Sequence, residues 1–457
     1  MTDIFVSRQD DQRQTEIALS LLPMFEGKRA FVRTFGCQQN ESDGEKLMGY
    51  LMLCGFSRAT SESDADLILI NTCAIREHAE KRELSYAGQL KKLKANKKDL
   101  IIGICGCMPQ QLHRVEQIKK SYPYVDFAFG TDMNHRLPEI LYSVVNGTKR
   151  MFFINDLPHD SFGVISEGMP VCRASSYKAW VSIMYGCNNF CTYCVVPFVR
   201  GRERSRRSDD VLNEVSGLIA SGYKDITLLG QNVNSYNGDI TFPELISKCA
   251  EFDGDYRIRF MTSHPKDASD ELINAIASHE RIAKHFHLPV QSGSTRILAE
   301  MNRRYTREQY LETAQKIRAK VPGIAVSTDI IVGFPGETDE DFADTLSLVK
   351  EAQFDMIYSF IYSPREGTRA AGMDCRIPHD EQVRRFEMLS ALQNDIALER
   401  NKALVGTVQR VLSDGDGTGR TDQNKIAELD MPIPAGEICK AEITSAKAYS
   451  LSAKIIK

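Results

Sequence analysis

Residues 186–194 read Gly-Cys-Asn-Asn-Phe-Cys-Thr-Tyr-Cys, so Cys187, Cys191 and Cys194 lie on one short loop. The loop follows an apolar segment, residues 179–184, with the composition of a strand. A structural zinc site uses four protein ligands, and a cubane iron–sulfur cluster normally uses four cysteines. A cubane held by three cysteines leaves one iron open, as S-adenosylmethionine radical chemistry requires. We therefore predict a [4Fe–4S] cluster here; the alternatives are three core thiols, or a zinc knuckle whose fourth ligand lies elsewhere.

Composition limits the classes of protein to which the chain can belong. Its 457 residues allow two or three domains. No apolar run approaches the roughly 20 residues that cross a bilayer, and the N-terminus lacks the features of a secretory signal, so we expect a cytoplasmic protein without a membrane partner. In that compartment the twelve cysteines are better interpreted as thiols or metal ligands than as disulfides. The net charge of −4 argues against a general nucleic-acid binder.

Alternating strand and helix patterns in residues 28–145 predict an open parallel α/β domain. Cys37, Cys73 and Cys107 each follow a predicted strand. Because ligands bind at the carboxyl edge of such sheets, these thiols form a second candidate site with three ligands. The alternative is that they are ordinary buried cysteines, an interpretation that suits Cys54 and Cys105.

Cys105 lies two residues before Cys107 and competes with it as a ligand. Gly106-Cys107 repeats the pairing of Gly36-Cys37, whereas Cys105 belongs to the strand pattern. We therefore predict that Cys107 is the ligand.

Residues 173–402 contain six strand patterns, most of them separated by helical patterns. Six units are too few for a closed eight-stranded barrel, so we predict a partial (β/α)6 barrel. Polar groups follow the strands, where barrels of this kind bind ligands: Gln231-Asn232, Ser263-His264, Gln291 to Ser294, Gly333 to Glu337, and Ser363-Pro364.

The remaining segments are shorter. Residues 403–457 alternate short apolar runs with glycine and proline, which predicts a small all-β barrel. Residues 1–27 are expected to be a lead-in with little core, and residues 146–176 an interdomain linker.

A concentrated basic segment follows the three-cysteine loop. It contains Arg200, Arg202, Arg204, Arg206 and Arg207 against the single Glu203. Arginine suits phosphate recognition because its planar fork can bind two oxygens. We predict that the segment contacts a nucleic-acid backbone; a solvated surface loop is the alternative.

The run from Gly186 to Arg207 resembles the radical-SAM signature of the methylthiotransferase family. The resemblance implies a central radical-SAM barrel and a C-terminal RNA-binding TRAM domain, in which 419–425 is the most similar run. It implies two [4Fe–4S] clusters with S-adenosylmethionine as cosubstrate, one on Cys187, Cys191 and Cys194 and an auxiliary one on Cys37, Cys73 and Cys107. No catalytic residue is implied beyond these ligands. The implied S-adenosylmethionine contacts are Tyr193, Gly333, Phe334, Pro335, Gly336 and Glu337.

The resemblance also implies an activity. Residues 195–198, Val-Val-Pro-Phe, and 201–204, Gly-Arg-Glu-Arg, are most similar to the branch that acts on N6-isopentenyladenosine beside the tRNA anticodon. There the C–H at carbon 2 of the adenine becomes C–S–CH3. The partners would be tRNA, contacted by Arg200, Arg202, Arg204, Arg206 and Arg420, and a low-potential electron donor such as a flavodoxin.

Two alternatives stay open. A sister methylthiotransferase would act on threonylcarbamoyl-adenosine in tRNA or on a ribosomal protein. A non-catalytic RNA-binding scaffold would use its cysteines to hold zinc.

Overall fold

The computed structural model describes residues 4–74, 77–147, 150–154 and 163–456. The chain forms two compact units. The N-terminal unit comprises Met1–Ala174, Met184–Asn188 and Cys194–Arg206, and the C-terminal unit comprises Ser175–Ile183, Asn189–Tyr193 and Arg207–Lys457. The predicted division into three domains, at 28–145, 173–402 and 403–457, stays a prediction.

The described residues form helices in both units. In chain order they are α1 Arg8–Phe25, α2 Gln38–Leu53, α3 Glu77–Asn96, α4 Leu112–Ser121, α5 Leu137–Asn146, α6 Val196–Arg200, α7 Ser208–Ala220, α8 Phe242–Glu251, α9 Asp270–Ser278, α10 Thr295–Glu300, α11 Arg307–Lys320, α12 Asp339–Ala352 and α13 His379–Lys402. None of these helices is long and apolar enough to cross a membrane, within the ranges that the structure describes.

The strands of the N-terminal unit are β1 Arg29–Thr34, β2 Ser57–Arg58, β3 Leu67–Thr72, β4 Ile101–Gly106, β5 Phe127–Phe129 and β6 Met151–Phe153. Next in the chain come β7 Lys178–Ser182, β8 Met184–Tyr185, β9 Arg204–Ser205, β10 Asp225–Leu229, β11 Arg257–Phe260, β12 His285–His287, β13 Ala325–Val332 and β14 Met356–Ile361. The last five are β15 Val408–Ser413, β16 Thr418–Thr421, β17 Ile426–Leu429, β18 Ile438–Ala446 and β19 Ser450–Ile456.

The N-terminal unit is built on a six-stranded parallel sheet in the order β2-β1-β3-β4-β5-β6. One hydrophobic cluster packs residues of α1, α2 and α5 against the sheet, and another includes residues of α3 and α4. β3 is buried along its whole length because both faces are covered. The predicted open parallel α/β fold is confirmed.

The expectation for residues 1–27 is wrong, because α1 occupies most of that segment. Its buried residues are Gln14, Ala18, Leu21 and Phe25, whose spacing puts them on one helix face. Ser7 begins the helix by accepting a hydrogen bond from the Asp10 N–H. The predicted linker also contains regular structure, since β6 lies within it. Its residues 148–149 and 155–162 lie outside the described ranges.

The C-terminal unit contains the six parallel strands of the predicted partial barrel. They form two three-stranded sheets, β11-β10-β7 and β12-β13-β14. A parallel bridge between Ile258 and Ile282 joins β11 to the segment before β12. Helices α7, α8, α9, α11 and α12 connect or flank these strands, so the (β/α)6 architecture is confirmed.

Strands β15–β19 close into a five-stranded barrel in the order β15-β16-β17-β19-β18. Its core consists of small and branched residues such as Val411, Ala427 and Leu451. Closure leaves no open sheet edge. The prediction of a small all-β barrel at the C-terminus is confirmed.

Candidate active site

The auxiliary three-cysteine site begins at the carboxyl ends of three adjacent strands. β1, β3 and β4 lie side by side, and their registers pair Thr34 with Asn71 and Thr72 with Gly106. The strand ends are therefore level. Cys37, Cys73 and Cys107 follow these strands and meet at one edge of the sheet, as the sequence predicts. Cys105 lies on β4 instead and belongs to the hydrophobic cluster that contains Phe127.

Two glycines let the chain approach this edge closely. Gly36 has a φ of +108° and Gly106 a φ of +95°, a region that side chains disfavour. A Cβ on Gly36 would lie 2.6 Å from the Cβ of Cys73, and one on Gly106 would lie 2.4 Å from the carbonyl oxygen of Thr72. The Gly-Cys pairing thus has a steric reason at both positions.

Gly36→Ala is therefore expected to disrupt this site. The left-handed backbone alone costs an alanine about 1–2 kcal/mol, and the overlap with Cys73 adds to that cost. The iron bound per chain after anaerobic reconstitution should fall. Gly88→Ala is the matched control, because Gly88 lies exposed in α3 with no atom within 4 Å of its added Cβ. Unchanged iron content in Gly36→Ala would contradict this account of the glycine.

Asn40 connects the strand ends to two of the thiols. It is fully buried at the start of α2, and its Nδ2 donates to the carbonyl oxygens of Phe35 at 2.8 Å and Thr72 at 2.9 Å. These two bonds fix the amide orientation. Its Oδ1 then lies 3.9 Å from the Cys37 sulfur and 4.0 Å from the Cys107 sulfur.

Arg200, the last residue of α6, also binds the Asn40 side chain. Its Nη2 donates to Asn40 Oδ1 at 2.6 Å and to Asp43 Oδ2 at 2.8 Å, and the side chain is 6% exposed. Val195 and Val199 pack with Ala74 and Cys107 in one small cluster. Burial raises the pKa of the Cys107 thiol to about 11, although Arg200 lowers it. The segment that follows Cys194 thus packs on Cys107, one of the three auxiliary cysteines.

Glu83, which lies on α3, accepts a hydrogen bond from the third cysteine, Cys73. Its carboxylate accepts from the Cys73 N–H, with distances of 3.1 and 3.2 Å to the two oxygens. Burial raises the pKa of Glu83 to about 8, and the backbone N–H opposes that shift. Sequence reasoning missed Glu83, Asn40 and Asp43. For the last two, the signal was a pair of polar residues three apart on a helix that begins directly after Cys37.

The radical-SAM loop is divided between the two units. In the N-terminal unit, Gly186 has a φ of +76°, and a Cβ there would lie 2.0 Å from the Arg202 carbonyl oxygen. The Cys187 N–H donates to the Gly201 carbonyl at 3.2 Å, and the Val196 N–H lies 3.5 Å from the Cys194 sulfur. These contacts fix the two ends of the loop.

The middle of the loop belongs to the C-terminal unit. Thr192 donates through its N–H to the Met301 carbonyl at 3.1 Å and through Oγ1 to the Glu300 carbonyl at 2.9 Å. Asn302 Nδ2 donates to the carbonyls of Asn189 at 3.1 Å and Phe190 at 3.0 Å. Four hydrogen bonds therefore hold the backbone around Cys191 against the end of α10.

The predicted S-adenosylmethionine loop lies at the carboxyl end of β13. Gly333 has a φ of +70°, and its N–H donates to Glu337 Oε2 at 2.8 Å. Arg385 also donates to Glu337 Oε2, at 2.7 Å, so the buried carboxylate braces the loop from within. Phe334 belongs to a cluster of buried side chains against which Tyr193 packs. The structure thus brings Tyr193 and Phe334 together; contact of residues 333–337 with S-adenosylmethionine stays a prediction.

Buried polar atoms without hydrogen-bond partners follow three of the barrel strands. They are Asn232 Oδ1 after β10, Ser263 Oγ after β11 and Tyr362 Oη after β14, and none has a partner among the described residues. Thr262 and Gln291 have φ values of +65° and +75° at the same end of the barrel. Orphaned polar atoms and left-handed non-glycine residues are typical of ligand sites. One amide oxygen, which accepts hydrogen bonds, and two hydroxyl groups, which donate or accept them, fit a polar ligand such as S-adenosylmethionine.

The predicted tRNA contacts are mostly internal. Arg200, Arg204 and Arg206 are buried, with exposed fractions of 6, 9 and 6%. Arg204 donates to the carbonyls of Arg200 and Arg202, and Arg206 pairs with Glu167 at 2.6 Å. Arg202 and Arg207 are exposed, and Arg420 is partly exposed. That these arginines contact tRNA stays a prediction.

All twelve cysteines are thiols, not disulfides. In the part of the chain that the structure describes, no three Cys, His, Asp or Glu side chains are grouped to hold one metal ion. That finding concerns a single ion, whereas the ligands of a cubane bind different iron atoms.

Two family models match the chain. The one described as "Radical SAM superfamily" matches residues 181–349, and the one described as "Uncharacterized protein family UPF0004" matches residues 29–130. The first covers most of the partial barrel, and the second covers most of the parallel sheet with its three cysteines.

Relatives match along the whole chain. The tRNA-2-methylthio-N(6)-dimethylallyladenosine synthase of Thermoanaerobacter pseudethanolicus is 45% identical over 471 residues, which cover 100% of this chain and 99% of the relative. The synthase of Caldicellulosiruptor saccharolyticus is 48% identical over 412 residues, which cover 88% of this chain and 87% of the relative.

Solved structures are similar in fold. The radical S-adenosylmethionine methyltransferase TsrM from Kitasatospora setae has a TM-score of 0.55 at 13% identity, covering 75% of this chain and 74% of that chain. The apo form of the cobalamin-dependent radical enzyme OxsB has a TM-score of 0.51 at 12% identity, covering 80% of this chain and 55% of that chain. At these identities the likeness concerns the fold alone.

Proposed function

The chain belongs to the family of tRNA-2-methylthio-N(6)-dimethylallyladenosine synthases and is a radical SAM methylthiotransferase; we propose that it converts N6-isopentenyladenosine beside the tRNA anticodon to the 2-methylthio derivative. The reaction replaces the C–H at carbon 2 of the adenine by C–S–CH3. That carbon is aromatic and unactivated, so a radical route supplies the reactivity that a polar nucleophile lacks.

The observation that supports this proposal most is the arrangement of the auxiliary thiols. Cys37, Cys73 and Cys107 follow three adjacent level strands, and the segment after Cys194 packs on one of them. A radical SAM enzyme that only generated a radical would need no second trio. A second [4Fe–4S] cluster, held by Cys37, Cys73 and Cys107, would supply an open iron to carry the sulfur that the product gains.

The chain's own residues have distinct tasks at the two sites. Cys187, Cys191 and Cys194 would hold the first cluster, which would supply the electron for cleaving S-adenosylmethionine to methionine and a 5′-deoxyadenosyl radical. Hydrogen bonds of Asn40, Arg200 and Glu83 hold the loops that carry the auxiliary cysteines in place. Tyr193 and residues 333–337 would position S-adenosylmethionine, with Glu337 and Arg385 keeping that loop in place.

The substrate class supports the finer parts of the proposal. A base in the anticodon loop is easily splayed out and bound in a pocket. The five-stranded barrel, with Arg420, would bind the RNA as a TRAM domain does. Exposed Arg202 would contact phosphate directly. Buried Arg200, Arg204 and Arg206 would affect RNA binding only by stabilising the segment that carries Arg202. We further propose a low-potential electron donor such as a flavodoxin, and a cytoplasmic location, where tRNA is modified.

An anaerobic assay tests the proposed function. The full chain is reconstituted with iron and sulfide, then incubated with S-adenosylmethionine, a reductant and an anticodon stem-loop that carries N6-isopentenyladenosine. We expect about eight irons per chain, as two cubanes require, and a methylthio nucleoside by mass spectrometry. Stem-loops carrying threonylcarbamoyl-adenosine or unmodified adenosine serve as controls. A chain that holds both clusters yet yields no product, or one that takes up zinc without acid-labile sulfide, would refute the proposal.

A further inference from the structure

Arg303 lies deep in the C-terminal unit beside the radical-SAM loop. It is 7% exposed. Its Nη1 donates to the Cys191 sulfur at 3.5 Å, its Nη2 to the Pro289 carbonyl at 2.7 Å, and its Nε to the Tyr305 hydroxyl at 2.8 Å. These three contacts hold the guanidinium in one position, with a ligand sulfur on one side.

This buried charge lacks a counter-ion within the described residues. No Asp or Glu oxygen there lies within 4.0 Å of the Arg303 guanidinium, and its partners are neutral oxygens, the Cys191 sulfur and the Tyr305 ring, whose centre is 5.2 Å away. Two other buried arginines, Arg200 and Arg385, differ. Arg200 has Asp43 at 2.8 Å, and Arg385 has Glu337 at 2.7 Å.

A buried guanidinium without an anion is strongly unfavourable. The cation–π contact and two neutral oxygens soften this penalty but do not neutralise the charge. The Cys191 sulfur, to which Nη1 donates, marks the side on which a bound cluster would supply that anion. A cubane bound there would be anionic, because three thiolates outweigh the charge of its oxidised core, and reduction adds a further electron.

We propose that Arg303 is a positioning residue that supplies the counter-charge to the iron–sulfur cluster held by the radical-SAM loop and raises its reduction potential. This inference rests on the proposed function, since it requires a cluster at that loop. A fixed positive charge that donates to a ligand sulfur stabilises the reduced cluster more than the oxidised one, and both charge and such hydrogen bonds set cluster potentials. The arginine remains protonated throughout, so no proton transfer is involved.

A redox titration tests the role of Arg303. The full chain with Cys37, Cys73 and Cys107 replaced by alanine leaves one cluster to observe by electron paramagnetic resonance. In this background Arg303→Gln should shift the midpoint potential to a more negative value. Arg303→Lys, which keeps the charge and loses the planar fork, should fall between the parent and Arg303→Gln. A second measurement uses the chain in which Cys37, Cys73 and Cys107 are kept. There the cluster at the radical-SAM loop is identified as the one whose electron paramagnetic resonance signal changes when S-adenosylmethionine is added, and the midpoint potential of that signal is measured.

Arg304→Gln is the matched control. Arg304 is the neighbouring residue and is exposed, so its loss removes the same formal charge from a solvated position, and the potential should stay unchanged. If Arg303→Gln binds too little iron to titrate while Arg303→Lys keeps its cluster, a positive charge at this position is required to hold the cluster, as expected if Arg303 supplies its counter-charge.

Three outcomes would overturn the inference. In the first, Arg303→Gln keeps its iron and its parental potential. In the second, the potential is unchanged while the affinity for S-adenosylmethionine falls, which would assign Arg303 to the carboxylate of that molecule. In the third, Arg303→Gln and Arg303→Lys lose the cluster equally although both fold. Absence of a cluster from the parent itself would refute the proposed function instead.

Discussion

Cys107→Ala is expected to abolish methylthiolation of the isopentenylated stem-loop, with a loss of more than about 100-fold, since even the outer partners of metal ligands contribute about 10- to 100-fold. Cys107 lies beyond the end of β4, where Asn40 Oδ1 is 4.0 Å from its sulfur and Val195 and Val199 pack around it. Iron content should fall by about four atoms per chain if the auxiliary cubane is lost. Iron analysis and nucleoside mass spectrometry measure both effects.

Cys105→Ala is the matched control for this prediction. Cys105 is two residues away, equally buried and chemically identical, but it belongs to the core cluster with Phe127. Burial raises the pKa of its thiol well above the usual value, as expected for a cysteine in an apolar core. The variant should lose some stability, about 1 kcal/mol, and keep its iron and its product. Full turnover by Cys107→Ala, or loss of the cluster from Cys105→Ala alone, would refute the ligand assignment.

Asp225→Asn is expected to lower the free energy of unfolding of the C-terminal unit by about 3–5 kcal/mol, the usual cost of breaking a buried ion pair from one side. Asp225 begins β10 and lies 2.7 Å from Arg257 Nη2 and 3.2 Å from Arg259 Nε. Both arginines also donate to carbonyls of residues 420–422, on the small barrel. Urea denaturation of the cluster-free chain can be followed through its single tryptophan, Trp180, which lies on β7 opposite Thr227 of β10.

Asp270→Asn serves as the control for that measurement. Asp270 pairs with Lys316 at 2.5 Å, but its side chain is 48% exposed. An exposed pair contributes about 0–1 kcal/mol, so the unfolding midpoint should hardly move. Equal losses from the two substitutions would contradict the role assigned to Asp225.

The stability difference between wild type and Asp225→Asn should depend on pH. Burial raises the pKa of Asp225, but Arg259 and Arg257 outweigh it and hold the pKa below its usual 3.8. The carboxylate therefore stabilises the fold fully above pH 3.8, and this contribution declines as the pH falls through the lowered pKa of the folded state. Unfolding curves at several acidic pH values should show the two chains converging.

The regular architecture could be predicted from local sequence patterns. The six barrel strands, the parallel sheet and the closed C-terminal barrel are observed close to their predicted positions. Apolar runs and glycine-rich turns are recognised from residues that are close together in the sequence. Predicting these elements therefore requires no knowledge of distant contacts. Cys37, Cys73 and Cys107 were predictable in the same way, because the carboxyl ends of parallel strands meet at one edge.

The basic segment shows where such reasoning fails. A run of arginines predicts a surface that binds phosphate, yet Arg200 is buried against Asp43 and Arg206 against Glu167. Charge composition does not tell which carboxylate comes from a distant element to neutralise an arginine. The same holds for α1. Most of its residues are polar, so its apolar face is not recognised until the elements that pack against it are known.

By itself the sequence determined the cysteine spacing, the order of the elements and the glycines that precede Cys37, Cys107 and Cys187, because these depend on neighbours in the chain. Only the tertiary structure decided that Asn40 and Arg200 pack against the loops of the auxiliary thiols. It also decided that Arg303 lies beside Cys191, with no carboxylate oxygen within 4.0 Å of its guanidinium among the residues that the structure describes. Burial and the pairing of charges are properties of contacts between distant residues, and a linear pattern does not contain them.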